Sequence, residues 1–342
     1  MPRIFRRTFR RRLSQFSLGF LFLLAASGSQ VFAQDIAPPT QPPTQPSAKP
    51  PAKKHSSRTP KLPPDTFILV GAGDIAGCPD SSGAEATAKL IEKIPGTVFA
   101  TGDLAYESGS LKEFQTCYQR TWGRFKDRTR PSPGNHEYNG TEATGYFEYW
   151  GTRAGEPRKG YYSYDLGRWH IIALNTNCND KALGGCDEGS PQETWLRADL
   201  AAHPNSCTLA YGHHALFSSG VFSHHAIRPQ LRPLWRDLYA AHADLVIAAH
   251  EHSYERFSPQ DPDGKADPEN GITEIVAGTG GRSHTLLGYA TPNSVVRNDN
   301  TYGVLKLTLS PEGYRFEFIP EARGTFRDSG SGTCHAAPTA TQ

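Results

Sequence analysis

Residues 67–77 read FILVGAGDIAG and residues 97–106 read TVFATGDLAY. Each is a short apolar run that ends on Gly-Asp, the pattern of a strand buried on both faces and closed by a turn. Between them, residues 83–94 carry an amphipathic helical pattern, so the pair reads as strand, helix, strand. The same unit recurs downstream in WHIIALN (169–175), CTLAYG (207–212), DLVIAAH (244–250) and ITEIVAG (272–278), with YYSYDL at 161–166 ahead of them. YGVLKLTL (302–309) and YRFEFI (314–319) come next as adjacent strands, and helical patterns lie near 110–122, 191–202 and 230–242. Early alternation of strand and helix, then pairing strands, predicts an α/β fold of two packed sheets with helices outside. Thirty-three glycines and 27 prolines in 342 residues argue against a helical bundle.

The polar residues just past each strand carry the chemistry. FILVGAG delivers Asp74, and VFATG delivers Asp103 with Tyr106 three residues on. PSPGNHEY (131–138) presents Asn135 and His136, LAYG delivers His213 and His214, and LVIAA delivers His250 and His252. Open α/β sheets gather ligands at strand carboxyl ends, so loops distant in sequence can converge. Carboxylates, an amide oxygen, a phenol and imidazoles are hard and borderline metal ligands. An aspartate after a strand is commonly only a turn former. Five such elements in order are what favour the metal reading.

GDIAG (73–77), GDLAY (102–106), GNHEY (134–138), GHH (212–214) and AHEH (249–252) resemble the five motif blocks of calcineurin-like metallophosphoesterases. The tyrosine of GDLAY resembles the purple acid phosphatase branch, in its short bacterial secreted form. The likeness runs over about residues 67–330 and includes YYSYDLGRWHIIALN, FSSG (217–220), HSYERF (252–257) and GTGGR (278–282). It implies a four-layer α/β/β/α sandwich of two mixed sheets, and a dinuclear metal centre. By motif position, Asp74, Asp103, Tyr106 and His252 would hold Fe(III). Asp103 would bridge to a second ion, Zn(II), Mn(II) or Fe(II), held also by Asn135, His213 and His250. A phenolate and carboxylates suit a hard trivalent ion, imidazoles and an amide a divalent one. Two positions depart from the pattern: Ala249 stands where glycine is usual and Ala215 where proline is. A methyl group at Ala249 is expected to loosen His250 slightly.

The implied chemistry is phosphomonoester hydrolysis by in-line attack of a metal-bound hydroxide. The leaving alcohol needs a proton, and His136 beside Asn135 is the candidate acid. His224 and His225 are candidates for holding the phosphate or sharing the acid role. A phosphodiesterase or nucleotidase on the same site is the alternative. A non-enzymatic envelope-binding protein, with the proline-rich arm as its working part, is the remote one.

The formal charge of +2 averages three unlike segments. Residues 1–33 hold six arginines and no acid, then the apolar run FSLGFLFLLAA (16–26) and a small-residue cleavage site, VFA (31–33). This reads as a signal peptide, too short for a membrane span. The export route is the general secretory one or, from the loose match RRRLSQF (10–16), the twin-arginine one. Residues 34–64 are a disordered linker with a net charge of +4, and ten prolines lie within 38–64. The linker is a solvated tether, with weak contact to anionic envelope polymers as its functional alternative. Residues 65–335 form the catalytic domain and 336–342 a disordered tail. With 25 basic against 33 acidic residues, 65–342 is a poor match for a nucleic-acid partner and fits a small phosphate ester. All six cysteines fall after residue 77. An even count behind a signal favours disulfides in a secreted or periplasmic protein. Cys178 and Cys186, flanking a polar loop, are the pairing favoured by position.

Overall fold

The structure is a computed structural model that describes residues 63–139, 142–204, 207–221 and 228–335. The expected signal peptide (1–33), all but the end of the expected linker (34–64), and the expected tail (336–342) lie outside the described residues.

Two mixed sheets pack face to face. The first runs, in spatial order, Ser329–Thr333, Gly313–Pro320, Gly303–Ser310, Phe67–Ala72, Thr97–Thr101 and Thr129–Ser132. The second runs Ser294–Asn298, Tyr254–Phe257, Thr273–Ala277, Leu245–Ala249, Cys207–His214, Trp169–Ala173 and Tyr162–Leu166. In the first sheet Phe67–Ala72, Thr97–Thr101 and Thr129–Ser132 are parallel neighbours. In the second, Trp169–Ala173, Cys207–His214, Leu245–Ala249 and Thr273–Ala277 are.

The two-residue period of the strands builds the layers. Leu69, Leu209, Tyr211, Leu245 and Ile247 point into the space between the sheets, with Phe99, Leu305 and Phe318 from facing strands. Their neighbours Val70 and Ala72 point outward onto a cluster with Ala84, Ala88 and Ile91 of the helix Ser82–Ile91. Ala210, Val246 and Ala248 point outward the other way, under Leu196 of the helix Pro191–Ala202 and Leu234, Trp235 and Leu238 of Arg232–Ala240. Helix, sheet, sheet, helix is therefore the layer order, the metallophosphoesterase sandwich implied by the motifs. Among the described residues, no helix is long and apolar enough to cross a membrane.

Three disulfides are present, Cys78–Cys117, Cys178–Cys186 and Cys207–Cys334. The strands invisible to the apolar pattern are mostly at sheet edges. Ser294–Asn298 and Ser329–Thr333 are edge strands with no fully buried residue, so neither shows a buried apolar face. Thr129–Ser132 contains Pro131, which an edge position tolerates. The helix expected over 110–122 is instead a broken path, Leu111–Glu113, a wide turn Phe114–Tyr118, and a tight turn Trp122–Arg128. Its aromatic residues pack with Tyr146, Tyr149 and Trp150 of an unanticipated helix, Thr144–Trp150. Tertiary packing of large rings overrides the local helical period here.

Candidate metal centre

The carboxyl ends of the parallel strands bring seven of the predicted side chains together. Asp74, Asp103 and His250 each stand one to two residues past a strand in left-handed backbone, with φ of 58°, 52° and 72°. That conformation costs on the order of 1 kcal/mol or more for a residue with a Cβ, and such strain concentrates at functional sites. It re-aims each side chain from the strand line into a shared cavity. Room for the turns is made by glycine. A Cβ on Gly134 would lie 2.1 Å from Asp103 Oδ1, and one on Gly73 would lie 2.4 Å from the Ala249 methyl. Ala249 is itself fully buried at the end of its strand, so Gly73 accommodates the methyl group that departs from the family pattern.

The polar atoms are crowded and short of protons. Tyr106 Oη lies 2.8 Å from Asp74 Oδ1, 3.1 Å from Asp103 Oδ2 and 3.2 Å from His252 Nε2. Its one proton faces two carboxylate acceptors. His213 donates from Nδ1 to the Thr101 carbonyl at 3.0 Å, which turns Nε2 inward. That Nε2 then meets Asn135 Oδ1 at 3.1 Å, Asp103 Oδ2 at 3.2 Å and His250 Nδ1 at 3.2 Å. His252 Nδ1 is held by Ser283 Oγ at 2.6 Å, and its Nε2 faces Asp74 Oδ1 at 3.3 Å. Asp74 Oδ2 accepts the His250 backbone N–H at 2.8 Å, tying two strand ends together. Separations near 3 Å between lone-pair donors are those of atoms sharing the coordination shell of one ion at ~2.1 Å. Imidazoles whose outer nitrogens are fixed by neutral partners are likewise the usual support of metal ligands. The donor set fits two ions that share Asp103.

Charge follows from burial and proximity. Burial opposes ionisation of Asp74 and Asp103, yet His252 holds Asp74 and His213 holds Asp103 below the ordinary carboxylate range. Burial would lower His213, but Asp103 lifts it to about 9. Burial and the neighbouring His213 push His250 down to about 3. Burial, with Asp103 and Asp74 alongside, drives the Tyr106 phenol well above its usual value.

His136 stands at the cavity edge. Its backbone N–H donates to Asp103 Oδ1 at 2.8 Å and its Nδ1 to the Glu107 carbonyl at 2.6 Å. Nε2 is left inward, 3.8 Å from Asp103 Oδ2. His224 and His225 lie outside the described residues.

Sequence reasoning passed over Glu137, Ser283, Arg228 and Arg282. Fully buried Glu137 accepts the backbone N–H groups of Asp103, Leu104, Ala105 and Gly134 within 3.3 Å, so one carboxylate shapes both the Asp103 and Asn135 loops. Burial, and then Asp103, raise it to about 7. Its signal was its place inside GNHEY. Arg282 pairs with Glu107 and lies over the Tyr106 ring at 5.0 Å. Arg228 donates to His250 Nε2 at 2.7 Å. His214, left without a role by the sequence, is buried and bonded to Thr176 Oγ1 at 3.0 Å.

The chain resembles known proteins in sequence and in structure. The profile of the calcineurin-like phosphoesterase family matches residues 67–254. Over 288 residues the chain is 26% identical to the Arabidopsis thaliana protein named Probable inactive purple acid phosphatase 1, covering 71% of this chain and 44% of that relative. It is 27% identical over 231 residues to Purple acid phosphatase 15 of the same plant, covering 58% of this chain and 42% of the relative. The chain thus spans less than half the length of these two relatives. The structure of purple acid phosphatase PPD1 from yellow lupin (Lupinus luteus) seeds matches with a TM-score of 0.59 at 20% identity, over 79% of this chain and 54% of that one. At that identity the structural likeness speaks for the fold.

Proposed function

Because the chain belongs to the calcineurin-like phosphoesterase family, we propose that it is an exported dinuclear-metal phosphatase acting on phosphomonoesters. The observation that carries this reading is the convergence of seven donor side chains, with more acceptor lone pairs than protons, at the strand ends. Asp74, Asp103, Tyr106 and His252 would hold one ion, and Asp103, Asn135, His213 and His250 the other. Bound there, the ions would polarise the phosphate ester and supply an acidified water as nucleophile. Burial and two flanking carboxylates keep the Tyr106 phenol neutral, so it ionises only against a strongly charged cation, which supports Fe(III) on that side. Zn(II), Mn(II) or Fe(II) suits the imidazole-rich side.

The chain's own residues do the rest. Asp103, fixed by the His136 N–H and by the backbone turn that Glu137 holds, sets the spacing between the two ligand groups. His136 donates its Nδ1 proton to the Glu107 carbonyl, so Nε2 is the nitrogen that can hand a proton to the departing alcohol. His224 and His225 are kept as candidates for holding the phosphate. Three disulfides support an oxidising compartment and hence export.

The test is elemental analysis of protein from its natural host, then chelation and assay on p-nitrophenyl phosphate and its bis-ester. Two ions per chain including iron, and monoesterase activity lost on chelation, are expected. A visible tyrosinate-to-iron charge-transfer band should also be present, and Tyr106→Phe should abolish it. A metal-replete protein that hydrolyses only the diester, or neither ester, would overturn the proposal.

A further inference from the structure

Asn135 and His250 wall two adjoining cavities. One, of about 380 Å3, is the candidate metal cavity, which Tyr106, His136 and Arg282 also line. The other, of about 390 Å3, is lined by Tyr138, Asn177, Asn179, His214 and Arg228 among others. A ligand joined to a phosphate at the metals has its remaining atoms beside Asn135 and His250, so the second cavity is where an alcohol portion would lie. Its size is at the low end of the roughly 300–1,000 Å3 of small-molecule pockets, enough for a single ring.

The polar atoms of this second cavity are arranged for a group that both donates and accepts. Asn177 is buried and spends its amide N–H groups on Asn175 Oδ1 at 2.9 Å and the Pro133 carbonyl at 3.4 Å. Its Oδ1 accepts no hydrogen bond among the described residues. Thr176 Oγ1 accepts the His214 backbone N–H at 2.9 Å and lies 3.0 Å from His214 Nδ1. One proton serves the Oγ1–Nδ1 contact, so either the His214 Nε2–H or the Thr176 hydroxyl is left as a donor on the cavity wall. Asn179 and Gln230, also on the wall, make no side-chain hydrogen bond among the described residues. The two arginines differ as well. Arg282 is spent on the Glu107 carboxylate, whereas Arg228 forms no salt bridge among the described residues and sits on the seam through its contact with His250.

We propose that this second cavity is the leaving-group subsite and that it selects phosphate esters of polyhydroxylated, sugar-sized alcohols over aryl esters. The inference rests on the phosphomonoesterase reading above. A hydroxyl satisfies the Asn177 oxygen as donor and the spare proton of the Thr176–His214 pair as acceptor, and Arg228 contacts the ester where the alcohol joins the phosphate. An aryl group would bury both polar atoms without partners. Pockets built to bond a hydroxyl reject analogues lacking it by large factors for this reason.

The test compares kcat/KM for a hexose 6-phosphate and for phenyl phosphate on the metal-replete protein, with calorimetric binding of a hexose 6-phosphonate and benzylphosphonate alongside. Wild type should favour the hexose ester although phenol is the better leaving group, and should bind the hexose phosphonate about tenfold more tightly. Asn177→Leu should lower the hexose-to-phenyl ratio at least about tenfold. The exposed double variant Asn179→Ala with Gln230→Ala, whose fold is not at risk, should lower it about threefold. Unchanged ratios in both variants, or tighter binding of the benzyl compound, overturn the subsite. If neither ester is hydrolysed, the phosphatase reading fails instead, and the two phosphonate affinities still decide the subsite.

Discussion

Asp165, His170, Asp199 and His203 form a cluster that, by residue type alone, matches Asp74, Asp103, His213 and His252. Its protons are placed differently. His170 is buried with both ring nitrogens on carboxylates, Nδ1 on Asp165 Oδ1 and Nε2 on Asp199 Oδ2, each at 2.9 Å. A ring bonded twice to carboxylates carries both protons and offers no lone pair. His203 stacks on it at 4.4 Å and spends Nδ1 on the Asp199 carbonyl at 2.8 Å. This is a clasp between the strand pair Tyr162–Leu166 and Trp169–Ala173 and the helix Pro191–Ala202. At the strand ends, His213 and His252 bond outward to neutral partners, the Thr101 carbonyl and Ser283 Oγ, and keep Nε2 turned inward. What a histidine does is decided by its outer partner, which residue counting cannot see.

The sharpest way to break this contrast is to damage each cluster and measure metal. Asp103→Asn removes the carboxylate shared by the two ligand groups. Elemental analysis should show loss of at least one ion, and kcat on p-nitrophenyl phosphate should fall by about a thousandfold or more. His170→Gln should keep the full metal content and near-normal kcat. If His170→Gln lost metal while Asp103→Asn kept it, the two assignments would have to be exchanged.

The clasp should show itself in stability. Burial opposes the charge on His170, but Asp199 and then Asp165 raise it above its ordinary value near 6.5. A folded value above the unfolded one means stabilisation that is full below about pH 6.5 and fades as pH rises through the folded value. Asp199, which burial would raise, is held low by His170. Its share is present above about pH 4 and lost on further acidification. His170→Gln should therefore cost about 3 kcal/mol near pH 5.5 and much less at pH 9, read as denaturant midpoints at both values. A loss independent of pH would mean that packing of the ring, and not its charge, holds the helix to the sheet.

The same logic explains what could be read in advance. Asp74, Asp103, His213, His250 and His252 were legible because each follows an apolar run whose end is set by its pattern, and parallel strands bring their ends together. Asn135 follows no such run and was legible only from its place in GNHEY. The parallel strands Phe67–Ala72, Thr97–Thr101, Trp169–Ala173, Cys207–His214, Leu245–Ala249 and Thr273–Ala277 were legible from such runs, being buried on both faces. The edge strands at 294–298 and 329–333 were not, since a strand with one neighbour and a solvated face has no such pattern. The pairings Cys78–Cys117 and Cys207–Cys334 depend on contacts 39 and 127 residues apart, and only the short Cys178–Cys186 loop could be judged by position. Glu137 and Ser283 were missed for a deeper reason. Their work is to hold backbone N–H groups or another side chain, and that requires knowing what the fold puts beside them.

Ser283 gives the smallest effect and the finest test of the contrast. Its Oγ holds His252 Nδ1 at 2.6 Å, and nothing in the clasp has a counterpart, since His170 has no neutral partner. Ser283→Ala removes that support without touching a ligand atom. His252 should still reach the ion, in a looser ring orientation and with a less basic Nε2. Such outer partners are worth roughly 10- to 100-fold in metal affinity where they are strong carboxylates, and a hydroxyl should fall at the lower end, about tenfold. Because His252 sits with Tyr106 on the same ligand group, the loss should appear as weaker retention of the coloured ion during graded chelation. The second ion should be retained as in wild type. Equal loosening of both ions would show that Ser283 supports the whole loop, not one imidazole.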